Sequence, residues 1–218
     1  MKEQLRDLLL KKDYEEIVRQ AGHTNRVLSF LTALTYDNDP LIAWRAIEAI
    51  GLAAAHIADS DSEVVRIHLR RMLWLLNDES GGIGWRLPEA MAEIIYHRPQ
   101  YFAEFVPIVI ALFDMEAEDL VHFKAGILWA IGRLAQVIPD SLGEAFPWII
   151  PCLNDPDPQT RGMAGWCLGQ LGQTQHLAQH KTLLADDSPV EFYSEGQLTR
   201  RSVGELVWEA LAVKATRG

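Results

Sequence analysis

With 218 residues, 49% of them apolar and 23% charged, the chain can bury a substantial core as one domain or a short repeat array. Lys+Arg 20 against Asp+Glu 30 leaves a net charge of −10, a field that repels phosphate backbones and argues against a nucleic-acid partner. The opening MKEQLRDLLLKKDYEE has no apolar stretch of the signal-peptide kind. The strongest apolar run, residues 105–113, falls far short of the ~20 that span a bilayer, so a cytoplasmic protein without membrane contact is expected.

From the N-terminus, residues 2–20 predict a helical cap, and apolar residues in steps of four then predict helix pairs. The pairs run 24–36 with 40–58, 62–76 with 83–97, 100–113 with 119–138 and 141–153 with 157–172. A terminal unit, 174–184 with 195–214, closes the array, and 189–196 is the longest irregular link. The expected organisation is one repeat domain over 1–218: a cap at 1–22, four repeats at 23–172 and a terminal repeat at 173–218, with no β-sheet. The two cysteines, Cys152 and Cys167, flank a turn near Pro156. Helical register sets them ~10 Å apart, beyond disulfide reach, so two buried, reduced thiols are expected.

The pairs repeat one another with a period near 40 residues. Asp37-Asn38-Asp39-Pro40 matches Asp155-Pro156-Asp157-Pro158, each following an apolar helix and placing Asp where a second helix starts. Asp there accepts from free backbone N–H groups, and Pro in the first turn sacrifices no hydrogen bond. In the second helices Ile50-Gly51, Met91-Ala92, Ile131-Gly132 and Leu168-Gly169 hold one register, spaced 41, 40 and 37 apart. Gly inside a helix costs ~0.5–1 kcal/mol relative to Ala, so three at one register imply a packing reason. The first helices repeat too, with Pro107 and Pro147 forty apart, and prolines inside a helix should kink it.

Residues 155–172, DPDPQTRGMAGWCLGQLG, resemble the HEAT-like repeat of the kind first recognised in phycobilisome lyases, and 37–51, DNDPLIAWRAIEAIG, are a second good match. The resemblance covers roughly 24–211, with degenerate copies at 77–94 and 114–134. It implies an all-α, α-α superhelix (HEAT/armadillo-like solenoid) of about five helix pairs with an N-terminal helical cap. The repeat itself specifies fold rather than function, and elimination leaves as the expectation a non-enzymatic scaffold or adaptor that binds a partner protein or peptide on its concave face, with no cofactor. The alternative is a HEAT-like enzyme or accessory factor of the bilin-lyase type. Two enzymatic HEAT-like families fit poorly: the deoxyhypusine hydroxylase type uses His-Glu dyads, and no His-Glu dipeptide occurs; the alkylpurine glycosylase type wants a basic surface.

In such solenoids the second helices line the concave face, which directs attention to their outward positions. Trp44-Arg45-x-x-Glu48 and Trp85-Arg86-x-x-Glu89 repeat one pattern, and Ala125…Trp129 and Gly162…Trp166 a second. Trp129 should lean over Ala125 and Trp166 over Gly162. The expected result is a groove of four partly exposed indoles with Arg45, Arg86, Glu48 and Glu89 beside them, suited to a peptide or cationic group. Other patterns read as structural. His176 and His180 have the i, i+4 spacing of a metal pair but no third ligand. Ser80-Gly81-Gly82-Ile83-Gly84 lacks the Lys of a phosphate loop. Lys124, Arg161 and Arg200 read as salt-bridged turn residues, and neither cysteine has the flanking charge of a nucleophile.

Overall fold

Aspartates in the turns set where the helices begin. Asp39 caps the helix Pro40–Ala58 by accepting from Leu41 N at 3.0 Å, and Asp157 caps Pro158–Gln170 through Gln159 N and Thr160 N. Two residues upstream, Asp37 and Asp155 close the turn itself, each accepting from the amide two residues on at 3.0 Å. Each is clamped by a cation from an earlier helix, Arg6 on Asp37 at 2.7 Å and Lys124 on Asp155 at 2.6 Å. The Arg6 hydrogen bond holds the Asp37 carboxyl below the usual range.

The computed structural model describes residues 1–76, 86–115 and 117–217, in two compact units, Met1–Phe105 with Glu195–Leu198 and Val106–Ser194 with Thr199–Gly218. The first unit contains α1 (Lys2–Lys11), α2 (Tyr14–Ala21), α3 (Arg26–Leu34), α4 (Pro40–Ala58), α5 (Ser62–Leu76), α6 (Leu87–His97) and α7 (Pro99–Phe102). The expected cap is itself a helix pair. Lys12 turns left-handed at φ 57, ending α1, and Asp13 caps α2 through Glu16 N. Among the described helices α4 is long and apolar enough to cross a membrane, at mean hydropathy 1.4. It is a core helix here, with 78% of that window buried and α2, α3 and α6 packed against it.

The second unit contains α8 (Val106–Ala111), α9 (Ala117–Leu134), α10 (Phe146–Ile149), α11 (Pro158–Gln170), α12 (Thr174–Gln179), the strand β1 (Pro189–Ser194), the strand β2 (Gln197–Ser202) from Thr199 on, and α13 (Val203–Arg217). The prolines do more than kink the first helices. At Pro147 and Pro151 the chain falls into short α and 3₁₀ pieces, because proline has no N–H to donate and its ring strikes the preceding turn.

The β-hairpin overturns the expectation of a sheet-free chain, although the chain is otherwise helical as expected. Its cause is a third copy of the turn, Asp186-Asp187-Ser188-Pro189, in which Ser188 N donates to Asp186 Oδ1 at 3.0 Å and Arg161 pairs with Asp186 at 2.7 Å. Branched and aromatic residues follow here (Val190, Phe192, Tyr193), which favour strand over helix. Glu195 and Gly196, at φ 51 and 73, supply the successive left-handed residues of a tight hairpin turn.

The glycine register has the packing reason that its repetition implied. A Cβ on Gly51 would stand 2.8 Å from the Glu93 carbonyl oxygen of α6, one on Gly132 would overlap the Trp166 ring of α11, and one on Gly169 would stand 2.5 Å from Ala210 Cβ of α13. At these three positions a second helix meets its successor with no side chain of its own at the contact. Gly169→Ala therefore meets backbone, Ala210 Cα at 2.8 Å, with no flexible end to move aside. Set against the better helix propensity of Ala, overpacking should leave a net loss of about 1–2 kcal/mol. A fall of several degrees in thermal midpoint is expected, whereas Gly143→Ala, whose Cβ meets nothing within 4 Å, should leave the midpoint in place.

Candidate functional site

The residues expected to line a groove sit on α4, α6, α9 and α11, and the close approach of these helices puts most of them in the core. Trp44 and Trp129 are only 5% and 4% exposed, Glu89 3%, and Arg45 is buried. This corrects the expectation of a partly exposed row. Trp166 is half-buried, as are Glu48 and Arg86, and Trp85 lies outside the described residues together with 80–84.

Each side chain has a specific partner. The Arg45 guanidinium donates to Leu9 O and Leu10 O at 3.0 and 2.9 Å, in the last turn of α1, and to Gly196 O at 3.3 Å. A buried cation on helix-terminal carbonyls is a cap, not a surface pair with Glu48. Glu48 instead accepts from the Tyr14 hydroxyl at 3.0 Å. The Arg86 guanidinium covers the Trp44 ring at 4.7 Å and approaches Glu89 at 3.6 Å. Trp129 and Trp166 do come together, stacked at 6.3 Å and 18°, with Phe192 of β1 edge-on to Trp166 at 5.4 Å. The space at Gly162 goes to Val190 and Leu206 rather than to the Trp166 ring, which lies against Gly132.

Glu89 carries the most perturbed carboxyl of this set. Burial pushes it up from 4.5 to about 7, against the pull of Arg86, and its Oε2 has no hydrogen-bond partner among the described residues. One turn on, Glu93 is also buried and lies 3.4 Å from His97 Nε2. Such a carboxyl can hold or release a proton near neutrality, yet it is buried away from solvent. His68 is held neutral, its pKa lowered by burial to about 4, with Nε2 3.0 Å from Thr32 Oγ1.

The second unit contains residues 121–171, which match the family model described as HEAT-like repeat. The match runs from α9 through α11. Trp129 and Trp166 both fall inside it, as do the Asp155 turn and the glycines at 132 and 169. An uncharacterized protein of Archaeoglobus fulgidus is 26% identical over 188 residues, covering 83% of this chain and 93% of its own. The crystal structure of an archaeal HEAT-like repeats protein from Thermococcus onnurineus NA1 aligns at TM-score 0.42 and 18% identity, over 99% of this chain and 81% of that one.

Apart from Arg200, which lies on a strand and not in a turn, the remaining described patterns follow their structural readings. Lys124 and Arg161 are salt-bridged to turns of the HEAT-like repeat and its successor, while Arg200 is exposed on β2. His180 Nδ1 lies on His176 O at 2.9 Å, so that ring is engaged by its own helix end. No disulfide joins Cys152 and Cys167; both are buried, and burial pushes both thiols up, Cys152 to about 11. Sequence reasoning missed the Arg86–Trp44 stack, whose only sequence signal is that Trp44 and Arg86 sit one residue apart in register.

Glu89 gives a signed pH dependence. Between pH 4.5 and about 7 the unfolded chain has released the Glu89 proton and the folded chain has kept it, so stability falls as pH rises through this window. Below 4.5 both states are protonated and the penalty vanishes. The interval corresponds to about 3 kcal/mol as an upper bound. Glu89→Gln, neutral at all pH, should melt above the parent at pH 8 and together with it at pH 4, as read by circular dichroism. A lower midpoint for the variant at pH 8 would count against a buried, desolvated carboxyl.

Proposed function

We propose that this chain is a protein-interaction adaptor without chemistry of its own, engaging a partner protein through the exposed side of its first helices. One observation supports the reading. Within α8 the exposed positions are Pro107, Ile108 and Ala111; forty residues on, the same register is held by exposed Pro147, Trp148 and Pro151. None of the six is charged. Exposed positions on a first helix facing only water are ordinarily polar, as Gln175 and Gln179 are on α12. An apolar surface repeated in two successive units is the kind that partners cover.

The indoles of the second helices no longer serve as the contact surface in this reading, since packing already uses them. The partner is a protein rather than nucleic acid or a membrane, given the net charge of −10. A photo-crosslinking residue at Ala111, in purified protein added to native lysate, is expected to yield a discrete protein adduct. The same residue at exposed Gln175 should not, and unlabelled parent should compete while an Ile108→Ser/Trp148→Ala double variant should not. Adducts that are absent at 111, or the same at both positions, would contradict the proposal.

A further inference from the structure

We infer that the segment received by this face is an amphipathic helix whose apolar ridge is flanked by Lys or Arg; the inference rests on the adaptor reading and names the partner's chemistry. The six exposed residues of the face carry a single side-chain hydrogen-bonding group, the Trp148 indole N–H, and three of them are proline. An extended peptide pressed onto such a face would bury backbone N–H and C=O groups with nothing to pair them. A helix satisfies its own backbone and needs only apolar contact. Residues 107 and 111 are four apart on α8 and form an i±4 ridge of the kind helix–helix packing uses, and 147 and 151 keep that spacing across α10 and the 3₁₀ turn after it. Trp148 is already fixed, its ring parallel to Phe113 within 2° at 6.0 Å, so little side-chain freedom remains to be lost when a partner closes on it. A preset indole in an apolar setting is the usual anchor of an interface.

The sign of the flanking charge follows from the same segment. Residues 106–160 contain eight carboxylates and two cations, 2 − 8 = −6. Both cations are engaged, Lys124 on Asp155 at 2.6 Å and Arg133 on Gln136 at 2.9 Å. Asp114, Asp140 and Glu144, on the segments that lead out of α8 and into α10, are exposed. This acidic rim attracts a basic helix and repels an anionic lipid surface. It equally opposes a second copy of the chain meeting face to face, because the two rims would confront each other.

The test uses two labelled 18-residue peptides with the same leucine ridge, one flanked by Lys and the other by Glu, titrated into the full chain at 50 mM salt. At least tenfold tighter binding of the Lys peptide is expected, narrowing as salt rises. Binding should be lost in Ile108→Ser/Trp148→Ala and kept in Trp208→Ala, which removes an exposed indole elsewhere. Equal affinity for both peptides, or loss of binding in neither variant, overturns the inference. So does binding to vesicles of 30% phosphatidylserine that needs Trp148, or a dimer in sedimentation that Ile108→Ser abolishes. If the peptides fail while the Ala111 adduct still forms and depends on Trp148, the partner chemistry is wrong and the adaptor reading stands. If both fail, both are wrong.

Discussion

The second helices touch their successors where a side chain is missing, and most of the architecture follows from that contact. At Gly51, Gly132 and Gly169 the opposing atoms stand where a methyl group would otherwise be, and these positions fall at one register of the repeat. Packing this close leaves no gap for water along this line. The flanking large residues, Trp44 and Trp129 among them, are therefore drawn into the core even though they lie off the apolar stripe. The glycine penalty in each helix, ~0.5–1 kcal/mol, is small beside the ~1.5–3 kcal/mol that burying each large apolar side chain returns.

That same closeness decides the fate of the charged residues. Arg45 and Glu89 look like surface partners by sequence spacing, yet both are shut in, and each case resolves differently. Arg45 finds helix-end carbonyls, which satisfy a guanidinium that cannot lose its charge. Among the described residues Glu89 has Arg86 at 3.6 Å and its own backbone N–H, and desolvation outweighs both, so the carboxyl drifts toward the neutral form. A buried cation with three acceptors and a buried acid with one distant cation are not equivalent, although both belong to the same Trp-Arg-x-x-Glu pattern.

What was legible in the sequence was local or periodic. The Asp-x-Asp-Pro turns, the glycine register and the forty-residue match of Pro107 with Pro147 depend on neighbours a few residues away or on repetition, and the structure reproduces all three. The hairpin was hidden because Asp186-Asp187-Ser188-Pro189 copies a helix-starting turn, and only the alternation Val190-Glu191-Phe192 and the pair Glu195-Gly196 separate the two outcomes. The exposure of the tryptophans was illegible for a different reason. Periodicity says which side of a helix a residue occupies, but the distance to the next helix decides whether that side is wet. The residues on the first helices were read for their kinks, and their uncharged outer register needed burial to be seen.

Packing and presentation are thus divided between the two helices of a repeat. The second helix spends its aromatic residues inward, since the Trp129–Trp166–Phe192 stack fills the space that the glycine contact creates. In the repeats that carry Pro107 and Pro147 the first helix is broken and cannot hold a long, continuous hydrogen-bonded surface. It contributes instead short pieces with Phe105, Val106, Val109 and Ile110 turned inward and Pro107, Ile108 and Ala111 left outside. A proline costs little where its N–H would have faced water, and it stiffens the chain that carries Trp148. The interruption that weakens the helix therefore also fixes the shape of the apolar surface it exposes.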